Sequence, residues 1–291
     1  MLLFLLFLIS NLSFAETRSS MISLSGTQGP DDFKSGSLSS TIGINEDWAA
    51  KLSFFQSDSG VADILEEKLI SSELRLGGDY QINLMWGVEF GVVGREDPYE
   101  VEGRGGYLGG RVVLSDFWGG KRETSLNLRI ERMRFTQSLT VEQTLRTYEI
   151  ETSINQEFIQ LGLDQDIFLW WLLYFSHRKY NYSDESSRLV VTSARRRTSF
   201  SGSRNNYGLP DNDILAGFQF LPYEWLEINL DTSRTKLVEQ DEITKSNSLT
   251  TTFLWSDFSL DLSVSLTDFG DASGEDQEKQ TFYTIGLAYS W

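Results

Sequence analysis

The one histidine of the chain, His177, lies in Phe175-Ser176-His177-Arg178-Lys179, the only imidazole that could serve a serine nucleophile as base. Ser176 is badly placed for it, because adjacent residues of an extended strand point to opposite faces. No hydrolase motif surrounds the pair, and a strand-top histidine accounts for it. Glu149 and Glu151 share one strand face at i, i+2, inside the ~5–9 Å range of glycosidase carboxylates. Such acids are also the ordinary lining of a polar, cation-tolerant lumen, and that reading is preferred. The clusters Glu96/Asp97/Glu100/Glu102 and Asp268/Asp271/Glu275/Asp276 could offer oxygens to Ca²⁺. They lack EF-hand spacing, so solvated loop charge explains them. With no cysteine, thiolate catalysis, disulfides and Cys-ligated metals are excluded. The expectation is no catalytic site, no metal and no cofactor.

Bulk composition narrows the choice further. The 291 residues carry 42 acidic against 25 basic side chains, a formal net charge of −17. Nucleic acid is a poor partner for such a chain, since phosphate binding needs clustered Lys and Arg. Residues 1–15, MLLFLLFLISNLSFA, read as a secretory signal ending in the small-x-small pattern Ser13-Phe14-Ala15, so the mature chain is expected to begin at Glu16. That stretch is shorter than the ~18 apolar residues a spanning helix needs. Beyond it the longest apolar run is Ile167–Phe175. If the remainder crosses a membrane, only a closed barrel is open to it, because lipid cannot satisfy a stray N–H or C=O.

The elements that must position these side chains show a period of two. In Phe258–Leu266 one face is Phe258, Leu260, Leu262, Val264 and Leu266, against Ser259, Asp261, Ser263 and Ser265. A helical period of 3.6 cannot produce such faces. Fourteen segments of this kind lie near 18–27, 36–44, 48–57, 68–77, 81–95, 103–115, 122–136, 145–163, 167–182, 212–221, 225–238, 244–255, 258–267 and 281–291. Short connections (Asn45–Asp47, Gly78–Tyr80, Asp116–Gly120, Asp164–Asp166, Pro222–Glu224, Ser256–Asp257) alternate with longer polar ones such as Asp58–Glu67, Arg95–Glu102 and Ser183–Asn212. The reading is an all-β, transmembrane, antiparallel up-and-down barrel of 14 strands, with 12 or 16 as alternatives, forming one domain over 16–291.

Outside the two irregular segments, 145–163 and 167–182, no charge interrupts the large apolar side chains of any stripe, although 23% of the chain is charged. The polar phase, assigned to the lumen, carries Lys51, Glu73, Arg75, Glu89, Arg111 and Arg129. It continues with Glu131, Glu227, Asp231 and Asp261, and with Glu149 and Glu151. Trp48, Trp118, Trp225, Trp255 and Trp291 gather at short-turn ends, as in an interfacial girdle. In 145–163, Tyr148, Ile150 and Ile154 take one face and Ile159, Leu161 and Leu163 the other, which predicts a β-bulge near Gln156. Ile167–Phe175 is apolar on both faces, which predicts a covered inner side. The long loop at 183–212 holds Arg188, Arg195, Arg196, Arg197 and Arg204. Folded inward they would form a constriction; left outside they would contact lipopolysaccharide phosphates. Val190–Val191 could add a hairpin and raise the count to sixteen.

The last strand, Thr281-Phe-Tyr-Thr-Ile-Gly-Leu-Ala-Tyr-Ser-Trp291, presents Tyr283, Ile285, Leu287, Tyr289 and Trp291 on one face. It resembles the β-signal of bacterial outer-membrane proteins, with Trp291 where Phe is commoner, and the resemblance implies insertion by the barrel-assembly machinery. Strand number and length resemble those of monomeric fourteen-stranded porins across the mature chain. That resemblance implies an integral protein of the Gram-negative outer membrane, with membrane lipid and lipopolysaccharide as partners. Passive diffusion of small polar solutes or ions, with weak cation preference, is the expected function. The alternative is a structural barrel with an occluded lumen that holds another envelope protein.

Overall fold

The structure, a computed structural model, describes residues 19–30, 32–62, 68–97, 101–115, 123–143, 146–168, 170–183, 198–200, 204–206, 210–237, 243–269 and 278–291. Of 60–62, 68–69, 138–143, 146–152, 198–200, 204–206, 269 and 278 it describes the backbone alone. The signal segment, Trp118 and the turn at Asp116–Gly120 lie outside the described residues.

The strands are β1 (Met21–Gln28), β2 (Lys34–Gly43), β3 (Trp48–Ala62), β4 (Lys68–Gln81), β5 (Trp86–Asp97), β6 (Val101–Val113), β7 (Thr124–Gln143) and β8 (Arg146–Phe168). After them come β9 (Trp171–Tyr182), the short β10 (Thr198–Phe200) and β11 (Arg204–Asn206), then β12 (Pro210–Tyr223), β13 (Leu226–Leu237), β14 (Ile243–Trp255), β15 (Phe258–Phe269) and β16 (Glu278–Ser290). Fourteen of them form one closed antiparallel barrel in which each strand pairs with its sequence neighbour, β9 with β12, and β1 with β16. Closure is complete to the limits of the described chain: Ser20 and Trp291 exchange two backbone hydrogen bonds of 3.0 Å. Both residues therefore sit at the rim where the tight turns lie, here called the turn end. The opposite rim, which carries the 183–209 connection, is the loop end. Hairpin β10–β11 is a separate two-stranded sheet, so it does not raise the barrel count; Val190–Val191 lie outside the described residues.

Three sequence expectations need correction. No bulge occurs near Gln156: β7 and β8 pair in unbroken register from Thr124↔Gln165 to Gln143↔Arg146. Ile154 and Ile159 take opposite faces because the inner wall is itself apolar near the loop end, as described below. Second, the reversal expected at Asp164–Asp166 lies at 169–170, so β8 runs to Phe168 and β9 starts at Trp171. The two-sided apolar run Ile167–Phe175 is thus two strand ends around a turn. Third, the turn expected at Gly78–Tyr80 is still strand; β4 runs to Gln81 and the reversal spans 82–85, leaving Ile82 and Leu84 exposed in the turn. The loops expected at Asp58–Glu67 and Arg95–Glu102 shrink for a similar reason. Strands continue past the end of their apolar stripe, most of all β7 (20 residues) and β8 (23 residues). At ~3.3 Å per residue their ladder is about twice the length needed to cross ~30 Å of hydrocarbon.

The outer wall is apolar. Leu74, Leu76, Phe90, Val92, Leu108, Leu128, Leu161, Leu249, Leu262, Ile285 and Leu287 are all exposed large hydrophobics on it. Among the described residues no helix is long and apolar enough to cross a membrane. At the turn end the aromatics join ring to ring. Trp48 stacks on Tyr80 (4.5 Å) and Tyr223 on Trp225 (5.4 Å); Phe253 links Trp225 and Trp255, and Tyr289 links Phe258 and Trp291. Trp86, Trp170 and Trp171 join this rim too, so every described tryptophan marks the turn end, where an amphipathic ring suits the headgroup layer.

If this band meets hydrocarbon, Leu128→Arg on its midline lowers folding stability in phospholipid vesicles by about 2–4 kcal/mol. Equilibrium unfolding monitored by tryptophan fluorescence measures it, and an unchanged midpoint would contradict the lipid-facing assignment.

Candidate functional site

The lumen side of β3 to β7 carries most of the polar-phase charges, and alternation brings them into one lattice. Arg75 on β4 is the hub: its guanidinium holds Glu131 of β7 in a two-pronged contact (2.6 and 3.1 Å) and Glu73 through Nε (2.5 Å). Arg129 reaches Glu131 (3.0 Å) and Glu89 (3.6 Å), and Lys51 reaches Glu89 (3.9 Å) and Asp79 (3.0 Å). Tyr107 of β6 lies beneath Arg129, its ring 4.0 Å from the guanidinium carbon. Space for that ring comes from Gly91 on the adjacent β5 and Gly77 on β4 beyond it, where a Cβ would collide with it. Glu131 is only 1% exposed, so its charge must be matched locally; an unpaired buried carboxylate is prohibitively costly.

Exposure falls steadily away from the turn end along this wall. Arg111 (54%), bonded to Glu123, stands at the turn-end mouth; Lys51 is 35% exposed, Arg129 24% and Arg75 15%. Solvent access along this wall thus falls from a turn-end vestibule to the Arg75–Glu131 contact, here called the neck.

Beyond that neck the inner wall is dry. Val93, Val101, Met133, Phe135 and Ile154 form a buried apolar cluster against Tyr182. Around the rest of the ring the inner side chains near the loop end, among them Thr235, Leu237, Thr267 and Phe282, are buried as well. Ser246 bonds Ser265 (2.8 Å) and Thr267 (3.0 Å), and Thr235 donates to Asp213 (2.9 Å). Tyr182 ties β9 to β12 through the Pro210 carbonyl (2.8 Å). Arg95 and Asp97, expected in a loop, pair inside this region at 2.8 Å.

The wall formed by β13 to β15 is different in charge. In the strand order, β13 stands diametrically across the ring from β4, and β15 from β6. Here Asp231 accepts from Tyr174 and Ser248, Glu227 from Asn229 (2.7 Å), and Asp261 lies against Gly286. Among the described residues no cation is within salt-bridge distance of these three acids, whereas every basic group of the opposite wall is matched.

Sequence alone missed Asp79, Arg95, Tyr107, Tyr174 and Arg178, which bonds Gln160 and Tyr180, and read Asp97 only as one of an acidic loop cluster. Asp79, Arg95 and Asp97 were read as turn or loop because apolar alternation had stopped; the tyrosines carry no charge to draw notice. Only the register shows Gly217 on β12 making room for Tyr174. His177 points to the outer wall, in register with Leu161 and Ile214, away from Ser176, which bonds Gln160. The side chains of Glu149 and Glu151 lie outside the described residues, as do Arg188, Arg195, Arg196 and Arg197 and the side chain of Arg204 in β11. Asp97 and Glu102 of one acidic cluster pair with Arg95 and Arg104, and the described residues hold no group of three metal-ligating side chains.

No protein-family model matches the sequence, and no curated protein matches it. Solved structures do match the fold. The CymD monoaromatic hydrocarbon channel superimposes with a TM-score of 0.61 at 12% identity, covering 96% of this chain and 89% of that one. The chain shares its closed-barrel fold with this channel. The Pseudomonas putida toluene transporter TodX (TM-score 0.54, 10% identity, 95% and 90% coverage) and the Ralstonia pickettii toluene transporter TbuX (0.53, 9%, 95% and 90%) share it. At such identities this likeness is one of fold. The porin-like barrel expected from the sequence is therefore present, with fourteen strands and a lumen partly filled by its own side chains.

The lattice predicts a non-additive response. Glu131→Leu leaves Arg75 and Arg129 without their shared counter-ion and costs about 3 kcal/mol in urea unfolding of the micelle-bound protein. The quadruple variant E73Q/R75M/R129M/E131L, which leaves Glu89 its contact with Lys51, recovers most of it, since well-packed uncharged side chains replace buried ion pairs at little cost. Additive losses across the series would refute the lattice.

Proposed function

We propose that this chain is a channel of the outer membrane that passes small polar solutes and ions by passive diffusion, prefers cations, and is closed in its loop-end half in this structure. The observation that carries the reading is the charge arrangement of the accessible vestibule. On one wall Lys51, Arg75, Arg111 and Arg129 are set against Glu73, Asp79, Glu89, Glu123 and Glu131; the facing wall holds Glu227, Asp231 and Asp261 without cationic partners among the described residues. A passing ion meets net negative potential inside a low-dielectric wall, which raises local cation concentration. The similar barrels named above are described as passing aromatic hydrocarbons. The accessible part of this lumen is lined by Lys51, Asp79, Glu89, Arg111 and Glu123, which favour hydrated solutes. Insertion through the outward-facing set Tyr283, Ile285, Leu287, Tyr289 and Trp291 by the barrel-assembly machinery belongs to the same proposal, and none of it involves catalysis.

A second reading rests on the dry loop-end half: a structural barrel with an occluded lumen that holds another envelope protein. Planar-bilayer recording separates the two. The channel reading expects discrete conductance steps and a cation-positive reversal potential in a salt gradient. In E227Q/D231N/D261N the selectivity falls toward unity, and Arg129→Ser, which thins the neck, raises conductance. Anion selectivity of the wild type would overturn the charge argument. No conductance in the wild type or in Arg129→Ser, with no sugar flux in liposome swelling, leaves the structural reading.

A further inference from the structure

The outer wall of β6 and β7 holds a cationic patch that the lumen reading does not use. On β7 the outward side chains run Leu126, Leu128, Ile130 and then Arg132 and Arg134; on β6, Leu108 is followed toward the loop end by Gly106 and Arg104. Register sets Arg104 directly opposite Arg134, and Arg132 opposite Gly106. Two like charges face each other across a ladder in a protein of net charge −17, an arrangement that repels unless an anion lies between them. Arg104 and Arg132 are 85% and 68% exposed.

Two of the three arginines have an acid partner: Glu102 takes Arg104 (3.1 Å) and Glu157 takes Arg132 (3.2 Å). Among the described residues Arg134 has no carboxylate within reach, only a 3.5 Å contact with the Ser153 hydroxyl. One further acid, Glu96, stands opposite Glu102 one step farther toward the loop end. On the β5 side Arg104 is flanked by the outward Gly94, beside which a Cβ would meet nothing within 4 Å. Gly94 thus leaves open space in the wall beside the guanidinium groups, and Gly106 adds no side chain to fill it. Directly below it Val92, Leu108 and Ile130 are exposed hydrophobics of the lipid-facing band.

From an apolar floor, open space in the wall and three forked donors at the top edge of the band, we propose a binding site for a phosphorylated, acylated glycolipid of the outer leaflet. Its acyl chains lie over Val92, Leu108 and Ile130, and a phosphate sits between Arg104 and Arg134 with Arg132 beside it. Arginine suits this role because its planar fork grips phosphate oxygens in pairs. The site rests on the outer-membrane reading and on the loop end facing outward. It does not depend on transport.

The test uses the full mature chain folded in detergent micelles, with native mass spectrometry measuring affinity for bisphosphorylated lipid A, its dephosphorylated analogue and inorganic phosphate. Bisphosphorylated lipid A is expected to bind at least about tenfold more tightly than the dephosphorylated form, and R104Q/R132Q/R134Q to lose about that factor. R234Q, a change of an outward arginine on the far wall, leaves binding unchanged. Heat-modifiable migration verifies that each variant is folded, and Arg134→Gln alone serves if the triple variant is not. Equal affinity of wild type and variant, or of the two lipids, overturns the site. So does inorganic phosphate binding as tightly as the lipid. Conductance enters none of these readouts, so a failed channel and a failed lipid site remain distinct results.

Discussion

Hydrocarbon offers no hydrogen bond to a peptide group, and from that single constraint most of this architecture follows. Every backbone donor and acceptor at membrane depth must be matched by a neighbouring strand, so the sheet can have no edge. β1 and β16 close the ring over eight paired positions, and the Ser20–Trp291 exchange carries the pairing to the limits of the described chain. The even strand number and the placement of Ser20 and Trp291 at one rim are consequences of closing an up-and-down chain. Solvent difference then sorts the side chains, since alternate residues must meet lipid on one face and whatever fills the ring on the other.

What fills this ring is mainly protein. A polar lumen in contact with bulk water could carry scattered charges without penalty. Here Glu131 and Arg75 are largely excluded from water and must be matched by each other. The lattice from Glu73 to Asp79 spans β3, β4, β5 and β7, so it also fixes the relative heights of four strands. Such contacts add little net stability over apolar packing of equal shape, but breaking one is expensive. They act as a register lock more than as a source of folding energy.

This division explains which features were legible in the sequence. Strand number and the two-faced pattern were, because lipid imposes an unforgiving rule on alternate positions. Trp48, Trp225, Trp255 and Trp291 marked the turn end for the same reason. Strand ends were not legible: the apolar stripe of β7 stops at Ile130, but hydrogen-bond pairing continues to Gln143. Beyond the lipid, pairing no longer needs an oily face, so periodicity falls silent while the strand goes on. Ile154 misled for the complementary reason. An apolar stripe looks alike whether it meets lipid or a dry interior, and a change of phase then looks like a bulge. Arg95 and Asp79 were passed over, and Asp97 was read only as loop charge, because they fall where alternation fades.

The width of the passage depends on a pairing of small and large residues that alternation cannot show. Inner positions of β6 read Val101, Gly103, Gly105, Tyr107, Gly109 and Arg111. Over those glycines the large side chains of the adjacent strands lie down: Phe135 over Gly103, Met133 over Gly105, Glu89 over Gly109. Tyr107 in turn lies over Gly77 and Gly91, and Tyr174 on the far wall over Gly217. A side chain laid along the wall leaves the axis clear; the same side chain propped up by a neighbouring Cβ would project into it. Glycine on one strand therefore sets the bore by deciding where a residue on the next strand rests. It also explains why the charge lattice can be both buried and peripheral. Its arginines are covered by lying against the wall, so the vestibule beside them stays open while the loop-end half, where bulky residues converge from both sides, is filled.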